Sequence, residues 1–149
     1  MATWGQFAEA EPKLAEAGRA LFYTYGVGLA FLATVRPDGG PRLHPIVMLI
    51  ADSGLFAFLV PSPKRDDLRR DPRYAMHAMP PENTDDEFYV TGRARLTDDP
   101  DRRRTVVEAY PNKVLGEWSL FEFEVDRALH AAYRHRGDWP PTYTRWRSS

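Results

Sequence analysis

The fold is decided by residues 29–60, which read LAFLATVRPDGGPRLHPIVMLIADSGLFAFLV. Three largely apolar runs, over residues 29–35, 42–50 and 55–60, have the length and composition of β-strands. The breaks between them carry proline, aspartate, serine and glycine, the residues that form tight turns. Because strands joined by tight turns must run antiparallel, this stretch predicts a three-stranded antiparallel meander.

The rest of the chain adds short helices and further strands. Helices are predicted before residue 26, over 62–71 and after residue 99, where serine or aspartate followed by proline starts a helix. Additional strands are predicted over 74–79, 87–96 and 120–125, with 128–134 as a candidate for one more. Six or seven antiparallel strands in this length favour a small barrel. The predicted fold class is therefore all-β with flanking helices.

The chain of 149 residues has the length of one domain. Within it, residues 1–26 are predicted to form N-terminal helices and residues 27–134 a barrel with inserted helices. Residues 135–149 are rich in proline and are expected to form an irregular tail. No internal repeat or linker divides the sequence.

Composition excludes several function classes. With 20 basic and 21 acidic residues the net charge is −1, which argues against a nucleic-acid or membrane binder. Because there is no cysteine, disulfides, thiolate metal sites and cysteine nucleophiles are excluded. The four histidines lack a ligand spacing, so no metal site is expected. No signal peptide or membrane span is visible, and we expect a cytoplasmic protein.

One helix start carries an unusual charge pattern. Ser62 is placed to cap the helix, Pro63 occupies its first position, and Lys64 and Arg65 follow. Two cations at this end oppose the helix dipole, at a cost of about 0.3–1 kcal/mol per charge. A bound phosphate would reverse the sign, since free amides, the hydroxyl and the ammonium group would converge on it. The alternative is a solvated surface helix whose bases pair with its own aspartates.

Residues 62–72, SPKRDDLRRDP, resemble the phosphate-binding signature S-x-K-x-x-x-L-x-x-[ND]-P of the pyridoxamine 5'-phosphate oxidase-like family, the flavin-binding split barrels. Four other segments resemble strands and turns of that family in the same order: 32–39, 45–47, 52–56 and 87–94. The resemblance runs from about residue 4 to residue 125. It implies a six-stranded antiparallel Greek-key split β-barrel. It also implies a homodimer with two cofactors in grooves at the subunit interface.

The resemblance implies eight cofactor-binding residues: Arg42, His44, Pro45, Ile46, Val60, Ser62, Lys64 and Arg65. Those at 62 and 64 match the residues that hold the cofactor phosphate, with the arginine at 65 beside them. The arginine at 42 falls near a second phosphate-contacting base. Residues 44–46 match the strand whose backbone runs along the isoalloxazine ring, and Val60 lies where the third strand reaches the phosphate.

The implied function is an oxidoreductase that uses FMN or a deazaflavin coenzyme, with hydride transfer at the flavin N5. His44 is a candidate proton donor or ring contact, and the alternative is a histidine packed at a strand end. A non-catalytic flavin or tetrapyrrole (haem) carrier on the same barrel is the competing function. Pro63 stands where classical members have a base, and their C-terminal Arg and His signature is absent. Oxidation of pyridoxamine phosphate is therefore not expected.

Two further groups of residues allow a functional interpretation. Trp118, Trp139 and Trp146 could stack on a planar cofactor, and the tail is a candidate for contact with a partner chain. The run of arginines at 102–104 follows several aspartates and is predicted to be a solvated helix face.

Overall fold

A computed structural model describes all 149 residues as one antiparallel sheet with four short helices. The helices are α1 (Trp4–Ala10), α2 (Pro12–Phe22), α3 (Pro63–Arg70) and α4 (Pro100–Ala109). The strands are β1 (Leu29–Val35), β2 (Pro41–Val47), β3 (Leu49–Ala51), β4 (Gly54–Leu59), β5 (Arg73–Ala78), β6 (Glu87–Leu96), β7 (Ser119–Ala132) and β8 (Thr142–Arg147). The prediction of a mostly-β protein with flanking helices is confirmed.

The sheet is an open, curled half-barrel. Its strand order is β2-β1-β5-β6-β7-β4-β3, with β8 paired to the long strand β7. The two strands at the ends of this order, β2 and β3, are separated in the chain only by Met48. The amide of Met48 donates a hydrogen bond to the carbonyl of Gly28 at 3.0 Å, outside either strand. One segment therefore supplies both edges of the sheet and brings them together at a corner.

The predicted count of six strands is wrong, because the sheet has eight. The strand predicted over residues 42–50 is two strands, divided at the corner. The candidate strand over 128–134 is the second half of β7, which continues past a bulge where residue 126 has no partner on β6.

The expectation of an irregular tail over residues 135–149 is also wrong. Residues Thr142–Arg147 form β8, which pairs with β7 along its whole length. Both prolines of the tail, at 140 and 141, precede the strand and so remove no hydrogen bond from it. Threonine, tyrosine and tryptophan within the segment favour an extended backbone.

The N-terminal helices cover the inner face of the sheet and fill the core. Trp4 and Phe7 of α1 pack edge to face at 5.2 Å, and Phe22 of α2 meets Phe88 of β6 at 5.4 Å. Thr3 caps α1, and its capping box with Gln6 is complete in both directions. Burial of these large aromatic side chains supplies much of the apolar contact that holds the helices on the sheet.

The other two helices lie near the ends of strands. Leu68 of α3 is buried in the main core, and α3 packs against β1 and β6. Val106 of α4 belongs to a smaller cluster with Phe56 and Leu120. None of the four helices is long and apolar enough to cross a membrane.

Candidate functional site

The N-terminal turn of α3 has free hydrogen-bond donors. Ser62 is the cap residue and Pro63 is the first helical residue, as predicted. The Ser62 hydroxyl does not cap the helix but donates to the carbonyl of Val60 at 2.8 Å. The backbone N–H groups of Lys64 and Arg65 have no acceptor within the chain. Such a turn has the donors that an anion needs.

The two bases at this helix start are not neutralised by their own helix. Lys64 is half-buried and takes part in no salt bridge. A terminal nitrogen of Arg65 donates to the carbonyl of Glu117 at 3.1 Å, while its buried Nε has no partner. The alternative prediction, in which these bases pair with the aspartates of α3, is therefore wrong. Asp71, which directly follows the helix, pairs with Arg73, and this hydrogen-bonded pairing lowers the pKa of Asp71 to about 2.

A buried carboxylate ties β2 to α3. The Asp67 side chain is 2% exposed and accepts hydrogen bonds from Thr34 at 2.8 Å and from the Nε of Arg42 at 2.7 Å. A terminal nitrogen of Arg70 lies 3.5 Å away. Burial alone would raise the pKa of Asp67, but the bonds from Arg42 and Thr34 outweigh it and hold that pKa below its usual range.

This arrangement leaves Arg42 able to bind a second anion. Only its Nε is used by Asp67, and the two terminal nitrogens have no hydrogen-bond partner within the chain. Asp67 follows Lys64 by three residues, so both side chains project from one face of α3, where residues at this spacing are neighbours. We call Arg42, Ser62 and Lys64, together with the free amides of the first turn, the α3 cradle. Its donors and its positive charge fit a phosphate group.

Strand β2 continues from this cradle along the sheet edge. Arg42, His44 and Ile46 share the inward face, opposite Thr34, Leu32 and Ala30 of β1. The strand pairs only with β1, so the backbone groups of its other edge have no strand partner. His44 is half-exposed and makes no hydrogen bond. An unpaired strand edge beside the α3 cradle can accommodate a planar ring.

The structure separates some of the predicted site residues from this edge. Pro45 points to the outer face and is exposed, whereas Ile46 is buried in the core. Val60 is exposed and adjoins Ser62, and the guanidinium of Arg65 reaches towards residue 117. These side chains do not converge on one point.

Sequence reasoning missed Asp67 as a member of the site. The sequence alone places this residue among the surface aspartates that could pair with nearby bases. The available signal was helical spacing, since Asp67 adjoins the apolar Leu68 and therefore lies near the buried face of α3. That Thr34 and Arg42 would meet it from two strands was not visible in local patterns.

The tryptophans lie in different environments. Trp146 packs against Phe7 of α1 at 5.0 Å, and Trp118 lies 6.4 Å from Tyr110. Trp139 is 74% exposed. Of the three tryptophans, Trp139 is therefore the most accessible to a cofactor or a partner chain, whereas Trp146 packs against the core.

The prediction that residues 102–104 form a solvated face is wrong. Arg102 donates to the fully buried Glu122 at 2.9 Å, and its guanidinium lies over the Phe56 ring at 4.9 Å. Arg103 lies over a neighbouring aromatic ring at 5.3 Å. Only Arg104 is exposed, with an exposed aspartate as its partner. The first two arginines therefore attach α4 to the sheet.

The outer face of the sheet carries an apolar row. The strand registers place Pro45, Phe31, His77, Tyr89 and Leu129 side by side across β2, β1, β5, β6 and β7. The rings of His77 and Tyr89 are stacked at 6.2 Å with an interplanar angle of 18°. No helix covers these side chains, which are exposed or half-exposed.

Comparison with known proteins gives one family and several similar folds. A family model described as pyridoxamine 5'-phosphate oxidase matches residues 22–135. No curated protein matches the chain in sequence.

Solved structures with the same fold include proteins from three bacteria. A haem-binding protein from Mycobacterium smegmatis has a TM-score of 0.62 and 15% identity, over 86% of this chain and 57% of that one. The chain thus spans little more than half of that relative. The haem storage protein HutZ from Vibrio cholerae has a TM-score of 0.60 and 16% identity, over 78% and 89% of the two chains. A nimC/nimA family protein from Clostridium acetobutylicum has a TM-score of 0.63 and 17% identity, over 86% and 91%.

Proposed function

Because the chain belongs to the pyridoxamine 5'-phosphate oxidase family, we propose that it binds FMN, or alternatively a deazaflavin coenzyme, and acts as an oxidoreductase on a small organic substrate. One observation carries the proposal. The α3 cradle combines two unpartnered backbone N–H groups, an unpaired Lys64 and an Arg42 whose terminal nitrogens are free. Several positive donors that lack a partner at one place favour a ligand with a phosphate group.

In this proposal the residues of the chain bind and orient the cofactor. Lys64 and Arg42 donate to the phosphate oxygens, and the first-turn amides of α3 add two hydrogen bonds. The free edge of β2 lies along the ring system, with His44 placed to donate a proton or a hydrogen bond to it. The cofactor, when bound, supplies hydride transfer at N5. No step requires a buried catalytic acid elsewhere in the chain.

We propose that the protein is a homodimer with the cofactor at the subunit interface. The part of the apolar row from Pro45 through Phe31 to His77 supports this because no element of the chain covers it. A second copy of the chain would bury these three side chains. Static light scattering at micromolar concentration should give twice the chain mass, and a monomer would contradict the shared groove. A cytoplasmic location remains a prediction.

The competing function is a haem carrier without catalytic turnover. It is favoured by the similarity of the fold to a haem-binding protein and to a haem storage protein. Haem requires an axial side chain, and the imidazoles of His44, His77 and His130 are the half-exposed candidates on the sheet. At 15% and 16% identity these relatives share only the fold with this chain.

The visible absorption spectrum of the purified protein, followed by titration with FMN, the deazaflavin coenzyme and haem, tests the proposal. We expect saturable binding of FMN or the deazaflavin and transfer of reducing equivalents to a small unsaturated or quinone-like acceptor. A haem spectrum together with no flavin binding would replace the oxidoreductase by the carrier. Tight flavin binding without any acceptor would support a flavin carrier instead.

A further inference from the structure

Three arginines line one cavity on the outer face of the sheet. The cavity has a volume of about 410 Å³ and lies between β7 and β8, with Arg127, Arg145 and Arg147 around it. Leu129 and Tyr89 contribute an apolar and aromatic part of its lining. It is separate from the α3 cradle, because β8 and β2 lie on opposite sides of the four strands β1, β5, β6 and β7.

Two of these arginines face each other across the strand pair. The register places Arg127 of β7 directly opposite Arg147 of β8, while Arg145 is opposite Leu129. Like charges at directly opposed positions destabilise a sheet. The arrangement is therefore unfavourable unless something neutralises it.

The carboxylates of the chain supply little of that neutralisation. Arg145 and Arg147 form no salt bridge, and Arg145 instead stacks on Tyr143 at 4.7 Å. The nearest carboxylate to Arg127 is that of Asp126, at 3.9 Å. Both of those side chains are well exposed, and exposed pairs at such distances contribute little.

The other side of the same strand shows the opposite arrangement. Where β6 pairs with β7, Arg95 is directly opposite Glu122, and the two side chains form a bond of 2.9 Å. Arg93 is likewise opposite Glu124. On that side β7 places acids against arginines, whereas towards β8 it places an arginine against an arginine. Along β7, an arginine therefore opposes an arginine only where the strand pairs with β8, at this cavity.

We propose that this cavity binds the phosphate or carboxylate group of a small organic anion. The guanidinium groups of Arg127, Arg145 and Arg147 bind the oxyanion, since paired N–H donors match the geometry of both groups. Leu129 and the Tyr89 ring contact the apolar part of the ligand. The proposal does not depend on the oxidoreductase function, because it uses none of the residues of the α3 cradle.

Phenyl phosphate and benzoate, titrated separately by calorimetry, distinguish the two oxyanions. We expect saturable binding of at least one, which weakens as salt rises because guanidinium pairing is screened. Phenol is the matched neutral ligand and should not bind.

Variants locate the binding. Arg147→Gln and Arg145→Gln should each weaken binding about tenfold or more, the effect of losing one charged hydrogen bond. Arg104→Gln removes the same charge from an exposed position of α4 and should leave the affinity for both probes unchanged. Lys64→Ala should also leave this affinity intact, which separates the cavity from the α3 cradle.

The melting temperature provides a second measurement. Relief of the opposed charges predicts that Arg147→Gln melts at the same temperature as the parent protein or higher in low salt. Phenyl phosphate or benzoate should raise the melting temperature of the parent by more than that of the variant. Absence of binding by both probes, or equal weakening by Arg147→Gln and Arg104→Gln, would overturn the proposal. Binding lost only in Lys64→Ala would do so as well.

Discussion

Helices α3 and α4 start alike but end up in different roles. Each has a capping residue, a proline at its first position and basic residues soon after. In α4 the side chain of Asp99 accepts the amide of Asp101 at 3.0 Å, and Arg102 binds the buried Glu122. In α3 the cap hydroxyl is turned back along the chain, and Lys64 has no acidic partner.

The difference shows what turns a basic helix start into a ligand site. At α4 a carboxylate of β7 lies opposite the arginines, so their charge is used within the fold. At α3 the buried Asp67 accepts a hydrogen bond from the Nε of Arg42 and forms no ion pair with Lys64. Both helices share the same helix-start motif. A buried acid from a distant strand binds the arginine of α4 and so attaches that helix to the sheet, whereas no such acid reaches Lys64, which stays free to bind a ligand.

Replacing Glu122, the buried acid of β7 that binds Arg102 of α4, should have the largest effect on stability. Glu122→Gln leaves Arg102 and Arg95 facing a neutral amide in a fully buried position, which should lower the free energy of unfolding by about 3–5 kcal/mol. Urea denaturation measures it. Glu124→Gln, a partly exposed neighbour on the same strand, is the control and should cost less than 1 kcal/mol. Equal losses would contradict the role given to the buried acid.

The corresponding change at α3 should be smaller and should affect two properties. Asp67→Asn weakens the bonds from Thr34 and Arg42. Because one arginine lies within 3 Å of Asp67, whereas two do so at Glu122, we expect a stability loss of about 2–3 kcal/mol. Arg42 would also lose its fixed position, so FMN affinity should fall. Asp66→Asn, an exposed change on the same helix, should alter neither. Unchanged FMN affinity in folded Asp67→Asn would show that Arg42 needs no positioning.

Lys64 should affect binding but not folding. Lys64→Ala should weaken the cofactor by about 1.5–3 kcal/mol, the range for a hydrogen bond to a charged group, with unfolding free energy nearly unchanged. Titration with FMN or the deazaflavin coenzyme measures the change. Lys113→Ala, at an exposed loop position, should bind like the parent. Parental affinity in Lys64→Ala would remove this residue from the site.

The smallest expected effect is on how far the free energy of unfolding falls at acid pH. The pKa of Asp67 in the folded protein lies below its usual value of 3.8, so its contribution is present above that pH. It is lost as pH falls through the lower, folded value, where the carboxyl takes up a proton. Between pH 5 and pH 2 Asp67→Asn should therefore lose less stability than the parent protein. Parallel curves would contradict this.

Local patterns predicted much of the architecture. Tight-turn residues located the β1–β2 hairpin, and a serine or aspartate followed by proline marked the starts of α3 and α4. These signals are local because caps and turns involve residues within a few positions of one another. The corner at Met48 was missed, because it depends on a contact with Gly28 that no short window contains.

The candidate site was predicted less completely than the fold. Ser62 and Lys64 stand out in sequence because their charge and position conflict with the helix dipole. Asp67 and Glu122 do not stand out, since each is an ordinary acid until the fold buries it against arginines from other elements. The partners of a buried charge are set by tertiary structure and leave no periodic signal.

A crystal structure of the protein soaked with FMN or the deazaflavin coenzyme tests the central claim most directly. We expect the cofactor phosphate within about 2.7–3.2 Å of the Lys64 ammonium and of the first-turn amides of α3, with the ring along β2. A cofactor bound elsewhere, with only solvent between Lys64 and Arg42, would contradict the account.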